Sequence, residues 1–400
     1  MGRIFSVFVC LLCVFGGSAA RAQPAADSFR VVTWNLEWWG SGAAPRAGQQ
    51  VAQTQTLIER IGADFYGFQE LVNLDSFRNM VARLPGGPWE ATISSYASLA
   101  PTPAGPAYEG AQKLGFLYRP SQFRKVRSRA FLEGHPYAYA DFASGRYPFL
   151  VEGELRCADG SWQPVSFFIL HAKAMSDNSS CNRREEGAYI FKDSLDRKYK
   201  GKEFLILGDF NDDLDTSICT DRTYGAYKNF VSDSVGPYAY NCLTLPISLA
   251  GARSNDRYTS LIDHFIASAP FARYYIPGSA RSLRELANAT VESYSRTVSD
   301  HYPVQTTFYR PASALSVGGS TPQAAACMVF PNPVQARVQV RGLSGPVAYQ
   351  VIDLLGRTVQ GGVLDGAQPT CSVEALAPGT YLLCIAAPDV PAQWLRFVKE

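Results

Sequence analysis

The sequence predicts an α/β fold of two packed sheets with helices on their outer faces, followed by a small all-β domain. Between residues 28 and about 310, strand-like apolar runs alternate with helical segments. Some of these strands alternate apolar and polar residues while others are apolar throughout, so the sheets should be mixed rather than all parallel. After residue 326 only short strand-like runs and Gly/Pro turns occur, a pattern that predicts a β-sandwich.

The first 22 residues are predicted to be a secretory signal peptide. Arg3 precedes an apolar stretch over residues 4–15, and the small-residue region after it ends in A-R-A at residues 20–22. A charged start, a short apolar run and an A-x-A site characterise such a peptide, and the run is too short to span a membrane. No later stretch approaches about 18 apolar residues, so we expect no transmembrane segment in the mature chain.

The composition of the chain and a change in composition at residues 311–326 predict two further domains. The chain has 400 residues and is 46% apolar, enough for more than one core. Residues 311–326 contain small residues, two prolines and no charge, so we interpret them as a linker between a domain at 28–310 and another at 327–400. With a net charge of +2 and a charged fraction of 18%, the overall charge of the chain does not by itself indicate nucleic-acid binding.

The individual elements follow from periodicity. Residues 50–61 and 74–84 have apolar residues at helical spacing, and residues 182–199, rich in Arg, Glu and Lys, are predicted to form a solvent-facing helix. The strands predicted in the first domain are KLGFLYR, YPFLVEGELRC, WQPVSFFILHA, EFLILGDF and VQTTFYR. Those predicted after the linker are ARVQVRG, VAYQVIDLLG, CSVEA and GTYLLCIA, and no helical pattern occurs there.

Five short segments, distant from one another in the sequence, each end an apolar run in acidic, amide or imidazole residues. An apolar run with a polar end is how a buried strand delivers a catalytic group to a sheet edge. Convergence of five such strands would gather carboxylates, amides and two histidines in one cleft, which suits a divalent metal ion and phosphate-ester hydrolysis. The segments are VVTWNLE (Asn35, Glu37), DFYGFQEL (Gln69, Glu70), FFILHAK (His171, Lys173), FLILGDFND (Asp209, Asn211) and SDHYPV (Asp300, His301).

The Asp-His pair in SDHYPV is the most informative of these segments. Asp300 can face a metal ion or water while the imidazole of His301, which titrates near neutrality, contacts a phosphate oxygen or moves a proton. Asp263, in LIDHF, is a candidate to hold His301 in one tautomer through the far ring nitrogen, whereas His264 beside it is interpreted as structural. The alternative for Asp300 and His301 is a surface pair in a turn.

Asp209 and Asn211 lie two residues apart and therefore point to the same side of an extended segment. The carboxylate can orient water, the amide can donate to a phosphate, and Gly208 permits a close backbone approach. The alternative is an Asx-rich turn after a buried strand. The acids that follow are interpreted as solvated loop residues rather than ligands: Asp212, Asp213 and Asp215.

Glu70 follows a run that should be buried, and a lone buried carboxylate needs a cation or hydrogen-bond donors. Mg²⁺ meets that need because it takes one or two carboxylates together with waters and phosphate oxygens, and Asn35 shares the strand-end position. The alternative for Glu70 is the N-terminus of a helix. Three nearby tryptophans are interpreted as packing rather than base-stacking residues: Trp34, Trp38 and Trp39.

Taken together, the ordered segments WNLE, QE, LHAK, GDFND, IDHF and SDHYPV resemble the endonuclease/exonuclease/phosphatase superfamily, the DNase I-like fold, over roughly residues 28–310. The resemblance implies a four-layer α/β/β/α sandwich and phosphodiester hydrolysis dependent on Mg²⁺ or Mn²⁺, with Ca²⁺ as an alternative. It also implies that Glu70 is the principal metal ligand, assisted by Asn35 and Asp300.

The remaining roles are implied in the same way. Asp209 and Asn211 would position water and phosphate, and His301, supported by Asp263, would be the general base or a phosphate-binding imidazole. His171 lies where DNase I-type nucleases and sphingomyelinases have His. In DNase I a Glu pairs with that His, but the strand QKLGFLYRP places Gln112 there, which weakens an acid role for His171.

Residues 327–400 resemble a type IX (Por) secretion C-terminal sorting domain of type A, through VFPNPV, VIDLLGRTV, LAPGTYLL and the terminal FVKE. This implies passage through the periplasm, recognition by the type IX machinery, and release or anchoring at the outer-membrane surface. Seven cysteines remain in the mature chain, none in a C-x-x-C zinc pattern. Their connectivity is open, but we favour Cys181–Cys219, since it would join two loops that follow the His171 and Asp209 strands.

The leading functional prediction is a secreted or cell-surface endonuclease acting on extracellular DNA or RNA. Lys173, Arg119 and Arg183 are candidates to contact substrate phosphates. Further basic residues could also contact phosphates: Lys113, Arg124, Lys125, Arg127, Arg129 and Arg184. For the segment RKVRSR the alternative is the solvent-exposed face of a strand. The alternatives are a sphingomyelinase-type lipid phosphodiesterase, which would need an apolar docking hairpin that the sequence does not show, and a non-catalytic surface binding protein on the same fold.

Overall fold

The structure is a computed structural model that describes residues 28–42, 47–100, 104–311, 328–341, 343, 346–353, 357–365, 369–387 and 390–400. The predicted signal peptide and all of the predicted linker except residue 311 lie outside these ranges.

Residues 28–311 contain twelve strands and ten helices within the described ranges. The strands are β1 (Ser28–Trp39), β2 (Phe65–Leu71), β3 (Glu90–Ala97), β4 (Lys113–Tyr118), β5 (Phe123–Ala130), β6 (Phe149–Arg156), β7 (Trp162–His171), β8 (Phe204–Asp209), β9 (Tyr240–Cys242), β10 (Asp263–Ser268), β11 (Arg281–Ser282) and β12 (Val304–Tyr309). The helices are α1 (Ala47–Ile61), α2 (Leu74–Val81), α3 (Pro106–Glu109), α4 (Ala138–Asp141), α5 (Asn178–Lys198), α6 (Lys228–Ser232), α7 (Leu245–Leu249), α8 (Ala269–Ala272), α9 (Arg284–Thr290) and α10 (Tyr294–Thr297).

The strands form two six-stranded sheets, ordered β11-β12-β1-β2-β4-β3 and β5-β6-β7-β8-β10-β9. In each sheet one central pair is parallel, β1 with β2 and β7 with β8, and the other pairs are antiparallel. The prediction of mixed sheets is therefore confirmed.

Strand alternation assigns each sheet an inner and an outer face. Val31 belongs to the cluster between the sheets, where Phe116 of one sheet meets Phe167 of the other with ring centroids 4.8 Å apart. Its neighbour Val32 belongs to the outer cluster that packs against α1 and α2. On the second sheet, Ile206 faces the cluster that includes α5. The result is the predicted four-layer α/β/β/α sandwich.

Helix boundaries differ from the predicted ones where capping residues decide them. The helix predicted at 182–199 begins at Asn178, because the side chain of Asp177 accepts a hydrogen bond from the backbone N–H of Ser180 as an N-cap. The helix predicted at 74–84 ends at Val81. The predicted disulfide between Cys181 and Cys219 is present and joins the first turn of α5 to the loop after β8.

The C-terminal region consists of strands, as predicted, with no helix in its described residues. Its strands form antiparallel sheets ordered β13-β14-β17 and β16-β15-β18-β19, and side chains of both sheets share one apolar cluster. These strands are β13 (Met328–Phe330), β14 (Arg337–Arg341), β15 (Val347–Asp353), β16 (Thr358–Leu364), β17 (Thr370–Ser372), β18 (Gly379–Ala387) and β19 (Val390–Lys399). In the described part of the chain, no helix combines the length and the apolarity needed to cross a membrane.

Candidate active site

The five polar strand ends meet at one edge of the sandwich. Because β1 and β2 are parallel, Asn35 and the end of β2 lie side by side, with Asn35 opposite Gln69 in the register. In the other sheet, His171 ends β7 opposite Asp209 at the end of β8. The antiparallel strand β10 begins at this edge, which brings Asp263 opposite Asp209.

Gly208 permits the predicted close approach of the backbones. A Cβ at this position would lie 2.0 Å from the carbonyl oxygen of Leu170 on β7, a distance no side chain tolerates. The glycine therefore allows β7 and β8 to pair up to their last residues, His171 and Asp209.

The amide of Asn35 links carboxylates of the two sheets. Its Nδ2 donates to Oδ2 of Asp209 at 2.9 Å and to Oε1 of Glu70 at 3.1 Å. Its Oδ1 accepts from the backbone N–H of Glu37 at 2.9 Å. All of these groups converge on the cleft that the sequence predicts.

Glu70 occupies β2 and not a helix N-terminus, since the nearest helix, α2, begins at Leu74. Its φ of 65° lies in the left-handed region, which is strained for a side chain other than glycine. Its Oε2 accepts from the backbone N–H of Trp38 at 2.9 Å and from the side chain of Gln112. Burial raises the pKa of Glu70, and the bond from Asn35 partly offsets this.

Arg146 completes the support of Glu70 and was not predicted. Its guanidinium donates to Oε1 of Gln112 at 2.6 Å and to the backbone carbonyls of His171 and Ala172 at 3.0 and 2.9 Å. Burial lowers its pKa to about 10, so the group remains a cation near neutral pH. The only sequence signal was an arginine directly before an apolar strand, which is common on protein surfaces.

His301 is buried rather than part of a surface turn. Its Nδ1 lies 2.8 Å from Oδ2 of Asp263, the hydrogen bond expected from the sequence, and its Nε2 lies 3.7 Å from Oδ2 of Asp209. Burial alone would lower the pKa of His301, but the carboxylates of Asp263 and Asp209 together outweigh burial and raise this pKa well above its usual value.

His171 lies between the carboxylates of Asp209 and Glu70, and its pKa is shifted in the opposite direction to that of His301. Its Nε2 is 3.4 Å from Oδ2 of Asp209 and 3.7 Å from Oε1 of Glu70. Its Nδ1 is buried and finds no hydrogen-bond partner among the described residues. Burial, with Arg146 and His301 nearby, lowers the pKa of His171 well below its usual value, so the ring is neutral.

Asn211 follows Asp209 in a left-handed conformation, with φ of 50°. Its backbone N–H donates to Oδ1 of Asp209 at 2.8 Å, and its side-chain Nδ2 donates to the carbonyl of Ala172 at 3.3 Å. The Asx turn considered as the alternative is thus present, and it lies within the cleft beside the other groups.

Asp300 is held by Arg257, a residue that sequence analysis did not single out. Nε of Arg257 lies 3.1 Å from Oδ2 of Asp300, and its Nη2 lies 3.1 Å from Oε1 of Glu37. The other oxygen of Glu37 accepts from the backbone N–H of Asp300 at 2.8 Å. The side chain of Arg257 is 67% exposed, so this cation is open to solvent beside Asp300.

The interpretation of the acids after Asn211 as solvated is wrong for two of the three. Asp212 and Asp213 are buried and accept hydrogen bonds from backbone N–H groups, those of Ile218 and Ala226 for Asp212 and those of Leu214 and Leu261 for Asp213. They shape the loop because its turns leave amides that need acceptors. Asp215 is half-buried and accepts from Ser248 at 2.9 Å.

Of the three residues predicted to contact phosphates, two lie near the site and one lies far from it. Lys173 lies two residues beyond His171, and Arg183 lies close enough to contribute, after burial, to lowering the pKa of Lys173. Arg119 follows Tyr118, which pairs with Phe65 at the start of β2, whereas Glu70 is near the end of that strand. Arg119 therefore lies about 20 Å away at the opposite edge, stacked on Trp89 at 4.0 Å, and does not fit the predicted role.

Two further basic candidates are structural. Lys113 is fully buried, and its Nζ donates to the carbonyls of Val72, Glu109 and Ala111. Arg184 is buried beside the disulfide, where it donates to the carbonyl of Lys173 at 2.7 Å. The strand that contains Arg127 has a largely exposed central stretch, which agrees with the wet-face interpretation.

The charges at this edge suit a divalent cation. The contacts described above link five carboxylates, from Glu37, Glu70, Asp209, Asp263 and Asp300, with three cations, from Arg146, Arg257 and His301. The five carboxylates outnumber the three cations, and this supply of oxygen donors fits a divalent cation. Ligand atoms of Asp209, Asp263 and His301 also lie within 4.8 Å of one another.

Comparisons with known proteins agree with this geometry. Residues 32–301 match the Endonuclease/Exonuclease/phosphatase family, and residues 328–393 match the Secretion system C-terminal sorting domain. No curated protein sequence matches the chain.

Two solved structures share the fold. An endonuclease/exonuclease/phosphatase from Beutenbergia cavernae is 13% identical with a TM-score of 0.51, covering 93% of this chain and 100% of its own. One from Bacteroides vulgatus is 15% identical with a TM-score of 0.50, covering 71% of this chain and 99% of its own. At these identities the likeness establishes the fold alone.

Proposed function

Because the chain belongs to the endonuclease/exonuclease/phosphatase family, we propose that it is an exported, metal-dependent phosphodiesterase, and more narrowly an endonuclease that cleaves extracellular DNA or RNA. Members of this family are hydrolases that act on phosphoester bonds. The C-terminal sorting domain indicates type IX secretion to the cell surface or the extracellular space.

One observation carries the proposal. The side-chain amide of Asn35 donates hydrogen bonds to one carboxylate from each sheet, those of Glu70 and Asp209. The carboxylate of Asp209 also lies within 3.7 Å of ring nitrogens of both His171 and His301. Buried carboxylates beside two imidazoles supply the oxygen ligands and the proton carriers that phosphoester hydrolysis requires.

Glu70 would be the principal metal ligand, assisted by Asn35 and Asp300. The excess of carboxylates over cations at this edge supports this assignment, as does the low exposure of the Glu70 side chain, 13%. A bound Mg²⁺ or Mn²⁺ would supply a hydroxide-like water and neutralise charge on the phosphate. The cluster of Asp209, Asp263 and His301 is the second candidate set for a cation.

The remaining residues bind substrate and move protons. His301, held by Asp263, would transfer a proton at Nε2 or donate from it to a phosphate oxygen. Asp209 would orient water, and Asn211 would donate to the phosphate. His171, as a neutral ring, would act as a hydrogen-bond donor rather than as an acid. Lys173 and Arg183 would contact neighbouring phosphates of the substrate.

Supercoiled-plasmid nicking by the mature chain tests the proposal. We expect conversion to open circle with Mg²⁺ or Mn²⁺, loss of it with a chelator, and loss of it in Glu70→Ala. Glu59→Ala, at an exposed position on α1, is the matched control and should nick like the wild type. Absence of nicking by the folded wild-type protein would contradict the nuclease assignment, and sphingomyelin hydrolysis would then be measured.

A further inference from the structure

Trp38 occupies an unusual position beside the cleft. The register between β1 and β2 shifts between Asn35 and Trp39, so the intervening residues form a bulge. Within it, Glu37 and Trp38 have φ values of 44° and 52°, two consecutive left-handed residues that are not glycine. Such pairs are strained and persist only where surrounding contacts hold them.

The bulge is held from both sides. The backbone N–H of Trp38 donates to Oε2 of Glu70 at 2.9 Å, and that of Glu37 donates to Asn35. Nε2 of the fully buried Gln50 donates to the carbonyls of Leu36 and Glu37 at 2.7 and 3.2 Å. Trp38 is therefore fixed next to the carboxylate that we assign to the metal.

Packing does not explain the choice of tryptophan. Trp34 and Trp39 are fully buried in the outer cluster, as expected from the sequence, whereas Trp38 is 48% exposed, so its interpretation as a packing residue is wrong. The bonds of the bulge are made by backbone atoms and by Glu37. Glycine at position 38 would make the same backbone bond to Glu70 without the left-handed strain. The presence of an indole at position 38 therefore needs an explanation other than packing or backbone geometry.

We propose that Trp38 is a stacking platform for a nucleobase next to the scissile phosphate, which makes it a substrate-binding residue. This rests on the proposed nuclease function and specifies its substrate as a strand with accessible bases. An exposed indole on a backbone held by these bonds presents a flat apolar face, and stacking on it tolerates any base because every base has a π-face. Arg257, paired with Glu37 of the same bulge, places an exposed cation nearby for the backbone of the strand.

The test compares two strands and four proteins. Binding of a labelled single-stranded oligonucleotide and of an abasic strand of equal length is measured by fluorescence anisotropy, with chelator present to prevent cleavage. The proteins are the wild-type mature chain, Trp38→Gly, Trp38→Phe and the control Tyr309→Ala. Tyr309 is also an exposed aromatic residue, but it pairs with Ser28 at the far end of β1.

We expect Trp38→Gly to bind the ordinary strand roughly 10- to 100-fold more weakly and the abasic strand within about twofold of wild type. Trp38→Phe should retain most of the affinity and Tyr309→Ala all of it. The thermal midpoint of Trp38→Gly should equal or exceed that of the wild type, because glycine relieves the left-handed strain.

Two results would overturn the proposal: unchanged affinity of Trp38→Gly for the ordinary strand, or equal weakening for both strands. The first points away from base stacking, and the second points to a general binding defect. If the wild type nicks plasmid and Trp38→Gly binds the ordinary strand with the same affinity as the wild type, only this inference fails. If the wild type neither binds the strand nor nicks plasmid, the proposed function fails with it.

Discussion

Oδ2 of Asp263 lies 2.8 Å from Nδ1 of His301, and both side chains are buried. Because this bond fixes which ring nitrogen faces Asp209, Asp263→Asn should disturb the tautomer and lower turnover without unfolding the protein. We expect His301→Ala to lower kcat by about 10²-fold or more. Single-turnover kinetics with a circular dichroism control checks both, and wild-type turnover in His301→Ala would remove this residue from the mechanism.

Metal binding should depend on Glu70. In Glu70→Gln the affinity for Mn²⁺ should fall at least tenfold, because a charged ligand is lost, and calorimetric titration measures this without reference to activity. Glu59→Gln serves as the control. If Asp263→Asn abolishes binding while Glu70→Gln retains it, the cation belongs to the Asp209, Asp263 and His301 cluster instead.

Lys173 and Arg119 should behave in opposite ways. Lys173→Ala should raise KM for a polynucleotide and reduce the salt slope of binding by about one, since one phosphate contact is removed. Arg119→Ala should leave both quantities unchanged because of its position at the opposite edge of the sheet. Steady-state kinetics from low to moderate salt compares the two variants, and a raised KM in Arg119→Ala would mean that the substrate extends around the sandwich.

The disulfide between Cys181 and Cys219 should contribute substantially to stability. It closes a loop with a sequence separation of 38 residues, for which chain entropy predicts about 4 kcal/mol. The double variant Cys181→Ala/Cys219→Ala should therefore unfold at a lower denaturant concentration, with Cys242→Ala as a control at a free cysteine. An unchanged midpoint would show that buried contacts such as those of Arg184 already hold this loop.

Stability should fall in acid because of His264. This ring is fully buried between Thr244 and the carbonyl of Asp212, as expected for a structural histidine, and burial lowers its pKa from 6.5 to about 4. The unfolded chain binds the proton at higher pH, so this contribution is complete above about pH 6.5 and is lost as the pH falls towards 4.

From pH 7 to pH 5 the loss from His264 amounts to about 2 kcal/mol. Denaturant unfolding at several pH values should show a shallower acid dependence in His264→Gln than in the wild type. Parallel pH dependences in the two proteins would mean that other groups account for the acid sensitivity.

The sequence alone determined the layers of the fold and the positions that could carry chemistry. Alternation of apolar residues assigns Val31 and Val32 to opposite faces, and polar residues at the ends of apolar runs mark Asn35, Glu70 and Asp209 as edge groups. These are local properties, since periodicity and strand ends can be read without knowing the partners of a strand.

The tertiary structure decided which side chains meet. Arg146 reaches Gln112, and Arg257 reaches Glu37 and Asp300, across long sequence separations that depend on strand order and register. The antiparallel direction of β4 carries Arg119 away from the cleft, and a single bulge in β1 exposes Trp38 while Trp39 stays buried. Register and bulges decide these outcomes because a shift of one residue turns a side chain to the other face of the sheet, and that shift depends on pairing between distant segments.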